Sequence, residues 1–438
     1  MLPPQILYLL EKLAPILKPA WVIIKNWWWL PLPFILWWPF SFLWLWWRTD
    51  LWLSKIKFIL LEVKIPKEVL KPMRAMETVM DALWQPMYDP PDWWEKWVEG
   101  KKVLSYSFEI ASIDGTPHFF IRIPEASRDS VESIIYSQYP EAEISIVDDY
   151  SKYVPQDIPN KDWDLWAADY RLLKPDPYPI KTYSKFETEH EAKEEKRIDP
   201  LAGLLEAMAK IKPGEQLWVQ ITAEPVTNKE APWITEGEKI RDELAKRGTK
   251  VIRRPMILEA ADVLITGEPA GMPKEEKEAV IPPEMRLTPG ERDIVAGVEN
   301  KISKRGYRTN IRFIYLGKRD IFFKPNLRLV FGYFASYVTE NLNGLVPWGK
   351  TLTKIHKNWF LPLNLIFNRR TYLRKRVIFR KYRKRLSPLF PRKGGTFILN
   401  TEEMASLFHF PGRGVAPAPF VPRVEAKKGE APPGLPTE

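Results

Sequence analysis

The sequence predicts an α+β protein in four parts: an N-terminal transmembrane anchor, two ferredoxin-like α+β domains, and a basic helical segment near the C-terminus. Three observations carry that prediction. Asn26 to Trp47 (NWWWLPLPFILWWPFSFLWLWW) is an unbroken uncharged run bracketed by Lys25 and Arg48. Two later stretches each spell strands and a helix in a recurring order. The chain's excess positive charge is gathered in one place rather than spread along it.

The uncharged run would reach about 33 Å as one helix, enough to cross a hydrocarbon core of roughly 30 Å. Half of the chain's 20 Trp lie at or before Trp52, and indole rings settle at bilayer interfaces. Trp27, Trp28, Trp29, Trp37, Trp38, Trp44, Trp46 and Trp47 are therefore the expected anchor residues. Trp46, Trp47 and Arg48 offer no small-residue cleavage site, which argues against a signal peptide. Pro31, Pro33 and Pro39 leave open a kinked span or a hairpin. Ahead of the run, Ile6, Leu9, Leu10, Leu13, Ile16 and Leu17 recur at helical spacing and suggest an interfacial amphipathic helix. Lys12, Lys18 and Lys25 on one flank face Arg48, Lys55, Lys57, Lys64 and Lys67 on the other, a bias that places the larger part of the chain in the cytoplasm.

The organisation that follows is residues 1–52 as anchor, 53–160 and 161–340 as α+β domains, 341–410 as the basic segment and 411–438 as a proline-rich tail. In the first domain, Val103 to Ser112 and His118 to Ile123 are β-rich runs separated by Asp114-Gly115, a tight hairpin turn. Val131, Ile134 and Ile135 then mark a helix, and Glu141 to Val147 alternates like a half-buried strand. The second domain repeats the grammar. Asp164 to Leu173 reads as a strand, Leu201 to Ile211 as a helix and Gln216 to Ala223 as a strand. Thr288-Pro289-Gly290-Glu291 is a capping-box helix start, Thr309 to Leu316 a strand, and Asn326 to Asn341 a helix. The charged stretches Glu187 to Arg197 and Asn228 to Pro283 read as solvated excursions.

Composition excludes several chemistries. The chain has no Cys, which removes disulfides, thiolate catalysis and zinc ribbons. Four His, at 118, 190, 356 and 409, are too scattered to spell a metal site. His118 reads as a packed or edge residue beside a turn, and Asp148-Asp149 as a strand end. No Ser/His/Asp set or carboxylate pair stands out. The expected protein is not an enzyme and carries no cofactor and no metal.

Of the net charge of +11, all is accounted for by Asn341 to Thr401, where fifteen Lys or Arg meet no Asp or Glu. Arg369, Arg370, Arg374, Lys375, Arg376, Arg380, Lys381, Arg383, Lys384 and Arg385 are interleaved with Tyr372, Phe379 and Tyr382. On a helix, Tyr372, Phe379, Tyr382 and Leu386 fall at heptad-like steps, suited to docking while the cations face outward. DNA phosphates, anionic lipid headgroups or an acidic protein would neutralise such a face.

Gly344 to Thr351 (GLVPWGKT) fits the phosphate-binding pattern G-x-x-x-x-G-K-[ST]. Its context argues for coincidence. The entering segment reads as a helix, Pro347 removes a cradle N–H, and no strand ending in Asp follows. An NTPase using Gly349, Lys350 and Thr351 is the alternative, as is a purely structural membrane-surface protein.

Several blocks in order, among them SYSFEIASIDGTPHFFIRIPE (105–125), IIYSQYPEAEISIVDDY (134–150), KIKPGEQLWVQI (210–221), TPGERDIVAGVENKISKRGY (288–307) and FILNTEEMASLFHFPG (397–412), resemble an uncharacterised bacterial family of membrane-anchored proteins. In that family the region lies beside or ahead of ATPases of the type IV secretion and conjugation class. The resemblance implies an accessory or docking component at the bacterial inner membrane, with any secretion-type ATPase supplied in trans and no assigned activity of its own.

Overall fold

Asp114 and Gly115 both adopt positive φ, 50° and 85°, which closes a two-residue turn whose twist matches its strands. It joins β2 (Tyr106–Ile113) to β3 (Thr116–Pro124), and the rest of the sheet grows from that hairpin. In this computed structural model the described residues are 25–26, 29–30, 32–65, 71–186, 199–245, 287–354, 364–385 and 395–411. The amphipathic segment expected before residue 21, Trp27, Trp28, Leu386 and the proline-rich tail lie outside them.

The chain divides into two compact units, one holding residues 58–88 and 103–438, the other residues 1–57 and 89–102. In the larger unit, β1 (Phe58–Lys64), α2 (Met73–Met87), β2, β3, α3 (Arg128–Gln138), β4 (Glu143–Val147), β5 (Trp163–Leu172), α4 (Pro200–Ala209) and β6 (Glu215–Val226) are followed by α5 (Trp233–Leu244), α6 (Pro289–Ser303), β7 (Gly306–Lys318), α7 (Leu327–Ala335), β8 (Leu345–Pro347), α8 (Asn364–Lys384), β9 (Phe397–Asn400) and α9 (Thr401–Leu407). The strands form one nine-stranded open sheet in the order β4-β1-β3-β2-β6-β7-β5-β8, with β9 also on β7. All pairings are antiparallel. β7 is long enough to be shared: its second half pairs with β5, its first four residues with β9.

Two separate ferredoxin-like domains are therefore not what forms. The strands assigned to the first continue into those assigned to the second, because β6 pairs with β2 along one edge and with β7 along the other. The class remains α+β, with a single sheet.

Side-chain alternation gives this sheet two buried faces. One carries Phe108, Ile110, Ile121, Val219, Ile221, Ile311 and Phe313 under a helical layer that includes Met76, Met80 and Leu83 of α2, Leu204 and Leu205 of α4, and Met404 of α9. The opposite face carries Ala111, Phe120, Trp218, Ile314, Leu165 and Ala167 and meets Ile378, Phe379 and Tyr382 of α8. Local signals stop and start the helices. Thr288 and Glu291 make the reciprocal capping box at α6, and Asn400 and Glu403 make another at α9. Glu403 also accepts from Lys301 at 3.0 Å, both side chains fully buried, so α6 and α9 are tied by an ion pair that neither partner can leave cheaply.

In the smaller unit, α1 (Leu32–Lys55) packs on one π-helical turn, Glu95–Glu99. The Trp44 indole donates to the Trp97 carbonyl at 2.7 Å. Gly100, at φ 81°, approaches the Arg48 backbone so closely that a Cβ would sit 2.3 Å from it.

The expected transmembrane anchor is corrected here. No helix among the described residues is long and apolar enough to cross a membrane. Trp29 and Leu30 lie in a turn, α1 begins only at Leu32, and Arg48, Asp50 and Lys55 fall inside it. The charge-free part of the helix, Leu32 to Trp47, spans about 24 Å, short of a core of roughly 30 Å. The membrane-anchored assignment and the inner-membrane location lose their basis with it, and so does the spanning role of Trp29, Trp37, Trp38, Trp44, Trp46 and Trp47; Trp27 and Trp28 lie outside the described residues.

His409, just beyond α9, is buried, with Nδ1 facing the Ala405 carbonyl at 3.2 Å and Nε2 facing the Asp199 carboxylate at 3.0 Å. Both partners only accept, so both bonds form only with the doubly protonated ring. Burial pulls the His409 pKa down, but the Asp199 charge and these bonds outweigh it and the net shift is upward from 6.5. The pair's stabilisation is therefore full below pH 6.5 and lost as pH rises through the elevated folded-state value. Urea unfolding of wild type and His409→Gln should show a stability gap that is widest in mildly acidic buffer and closes on the alkaline side; a gap constant with pH would contradict the charged-histidine assignment.

Candidate nucleic-acid interface

Residues 364–384 contain no Gly or Pro and are rich in Arg and Lys, residues that lose little side-chain freedom in a helix. They form α8, twenty-one residues long. Its placement is set by three apolar side chains. Ile378, Phe379 and Tyr382 are buried against the sheet, with Tyr382 and Phe379 rings 5.2 and 6.4 Å from Trp218. Phe379 and Tyr382 dock as the spacing predicts, whereas Tyr372 is exposed.

That docking sorts the ten candidate cations into two kinds. Inward, Lys375 pairs with Asp164 at 2.5 Å. Arg385, 1% exposed on its side chain, donates Nε to Glu109 at 2.6 Å and grips Asp149 with both terminal nitrogens at 2.6 and 2.9 Å. Glu109 lies at the centre of a buried polar cluster and also receives Ser107 Oγ, Tyr150 Oη and Gln220 Nε2. Tyr150 and Tyr382 share a hydroxyl contact of 2.6 Å. Burial disfavours the Arg385 charge, but Glu109 and Asp149 more than offset it and hold its pKa well above the usual value. Burial raises the Asp149 pKa, but the Arg385 bonds and charge and the Ser151 bonds outweigh it, and the net shift is downward. Arg385 itself sits at φ 48°, the left-handed turn that ends the helix. Beside it, burial and the Arg385 charge push Arg122 down to about 10, and its guanidinium stacks 4.0 Å above Phe58. Two further cations are committed in part: Arg374 donates to the Leu352 carbonyl at 3.0 Å, and Arg383 lies 5.9 Å from the Phe379 ring centre.

Outward, Arg369, Arg370, Arg376, Arg380, Lys381 and Lys384 are exposed. At about 100° per residue they share roughly 140° of the helix circumference. Arg376 donates to the Tyr372 hydroxyl at 3.1 Å. Among the described residues, no carboxylate lies within ion-pair distance of Arg369, Arg370, Arg380 or Lys384. From Arg369 to Lys384 the row runs about 22 Å along the helix axis.

Residues 80–416 match a domain of unknown function, DUF8128. The chain belongs to this family. The DUF8128 match spans β2 through α9, with α8 and its cationic face inside it and α1 outside. No curated protein matches the chain. The family description names no activity, and the expected association with a secretion-type ATPase draws no support from it.

The phosphate-loop string of this DUF8128 chain is occupied otherwise. Leu345–Pro347 is an edge strand on β5. Gly344 N–H donates to Asn343 Oδ1, Trp348 N–H to the Asp169 carbonyl and Thr351 N–H to the Trp348 carbonyl, so these amides are not turned toward a phosphate. Thr351 Oγ1 accepts from Asp169 N–H, and the Lys350 ammonium lies over Trp348, 5.7 Å from the ring centre. His118 is a packed residue, its Nδ1 2.5 Å from Glu62 and its ring stacked on Phe120. No group of His, Asp or Glu among the described residues is arranged to hold a metal ion.

The sequence marked the cations but not the partners of the inward ones. Asp164 lies 211 positions from Lys375 and Glu109 lies 276 positions from Arg385, and nothing local distinguishes them from other polar residues on strands. The two kinds of cation differ in their expected energetics. Arg385→Met leaves Glu109 buried without its counter-charge and should cost about 3–5 kcal/mol, whereas Arg380→Ala should stay within about 0.5 kcal/mol of wild type. Urea denaturation of the two variants tests this directly; equal effects would refute the division.

Proposed function

We propose that this chain is a non-enzymatic nucleic-acid-binding protein whose contact surface is the outward face of α8. The observation that carries this reading is the sorting of charge on one helix: Lys375 and Arg385, turned inward, have carboxylate partners in the fold, and Arg369, Arg370, Arg380 and Lys384 of the outward row have none among the described residues. A row of one sign repels itself until a polyanion neutralises it. Duplex DNA presents about one phosphate per 1.7 Å of axis, so a 22 Å row runs beside on the order of a dozen phosphates. Arginine is prominent in the row, and its planar fork bonds phosphate oxygens in pairs. The helix rides on a rigid sheet, which holds the row in register and reduces the ordering cost of binding. Contacts of this kind position a backbone and read no bases, so the expected binding is sequence-independent.

Fluorescence anisotropy with a labelled duplex tests the reading. Binding should weaken by about two to three orders of magnitude between 50 and 200 mM salt if about five phosphates are neutralised. The variant Arg369→Ala/Arg380→Ala/Lys384→Ala should lose at least tenfold in affinity and reduce the salt slope by about three, while keeping its unfolding midpoint. Absence of binding by the wild type at low salt, or binding that ignores salt, would overturn the reading.

A further inference from the structure

Among the described residues of the larger unit, Tyr136, Tyr153, Phe323 and Tyr372 carry exposed aromatic rings, and two of these belong to the surface around α8. Tyr372 lies on the helix itself. Its hydroxyl accepts from Arg376 at 3.1 Å, and the guanidinium carbon sits 5.8 Å from the ring centre. The ring is thus held at one edge and is still 42% exposed. Tyr153 comes from a segment that runs beside the helix, placed by three contacts. Tyr150 meets the Tyr382 hydroxyl at 2.6 Å, Val154 joins the apolar cluster of Ile378 and Phe379, and the Asp157 carbonyl accepts from Arg376 at 3.4 Å. Residues 150–157 therefore run antiparallel to α8, from its last turn back to Arg376, and Tyr153 among them is 71% exposed.

Charge and rings are divided between the two sides of this surface. On α8 the cations form an unbroken row of one sign. On the adjoining segment the exposed charges, Lys152, Asp157, Lys161 and Asp162, cancel, so that side offers a ring rather than a field. The helix also carries Leu373 and Val377, both exposed. At about 100° per residue they fall inside the arc of Arg369, Arg370, Arg380 and Lys384. A face that meets phosphates alone has no use for apolar side chains, whereas sugars and unpaired bases do.

We propose that the nucleic acid taken by this surface is single-stranded, with its phosphates along the α8 row and its unpaired bases stacked on Tyr372 and Tyr153. The inference rests on the nucleic-acid reading above and adds the state of the ligand to it. An aromatic ring stacks on any base whose face is free. Inside a duplex the neighbouring bases already cover those faces, and freeing one requires unstacking. The tyrosines therefore strengthen the binding of a single strand, while the cations serve either form. Arg376 bonds to both the helix and the segment, which keeps the two rings on one fixed surface.

The test is fluorescence anisotropy of the full chain, at equal salt, with a labelled thymidine oligomer of about twelve nucleotides and with a mixed-sequence duplex of the same length. The wild type should bind the single strand about tenfold more tightly or better. That preference should widen as salt rises, because stacking is uncharged and a single strand releases fewer counterions per phosphate. Tyr153→Ala/Tyr372→Ala should lose about tenfold or more on the single strand, leave duplex binding unchanged and keep its unfolding midpoint. Tyr153→Phe/Tyr372→Phe, which retains both rings, should bind like the wild type, and so should Tyr136→Ala. Irradiation of an oligomer carrying 5-iodouracil should cross-link it to Tyr153 or Tyr372. Equal affinity for the two forms, or a loss in the double alanine variant that is the same on both, overturns this inference and leaves the nucleic-acid reading standing. A wild type that binds neither form removes both.

Discussion

β6 is the strand on which the architecture rests. All twelve of its residues are buried, and it pairs with β2 along one edge and with β7 along the other. A strand bonded on both edges and covered on both faces has no solvent to satisfy its side chains, so its polar donors turn to protein acceptors, although Gln220 Oε1 itself finds no partner. Val219 and Ile221 meet this by facing an apolar helical layer. Gln220 and Thr222, on the other face, cannot. Gln220 Nε2 donates to Glu109 and to the Tyr382 carbonyl, and Thr222 Oγ1 to the Asn310 carbonyl. The need to close Glu109 in turn brings in Arg385, and Arg385 fixes the end of α8. The position of the cationic helix is thus a consequence of polar bookkeeping on the central strand.

This dependence explains why a run of basic residues divides as it does. A buried guanidinium without a carboxylate is far more costly than a solvated one, so the cations turned toward the sheet appear only where Glu109, Asp149 or Asp164 meets them. Those turned away face no such demand. The same helix therefore contains fold-forming arginines and a surface row, and only their partners tell them apart.

In the apolar N-terminal helix, hydrophobicity and spanning length part company. Counting uncharged residues joined Asn26 to Trp47 into one span, yet a span also needs a continuous helix of the right length. The turn at Trp29 and Leu30 and the start of α1 at Leu32 shorten it, and Arg48, Asp50 and Lys55 occupy its second half. Tryptophan adds to the discrepancy, since each ring is bulky but keeps an N–H that seeks an acceptor, as Trp44 finds in Trp97.

What the amino-acid order determined by itself was local. The Asp114-Gly115 turn, the Thr288/Glu291 capping box, the strands around 164–173, 216–223 and 309–316, and the helical spacing of Phe379 and Tyr382 depend on neighbours a few positions away, and the structure places each of them. The joining of two expected domains into one sheet was decided by strand pairing between β2 and β6, about one hundred residues apart, for which alternation alone specifies no partner. The candidate surface was legible as composition, and its division into inward and outward cations was not. That division depends on which carboxylates the sheet brings beneath α8, and only the folded arrangement of strands supplies them.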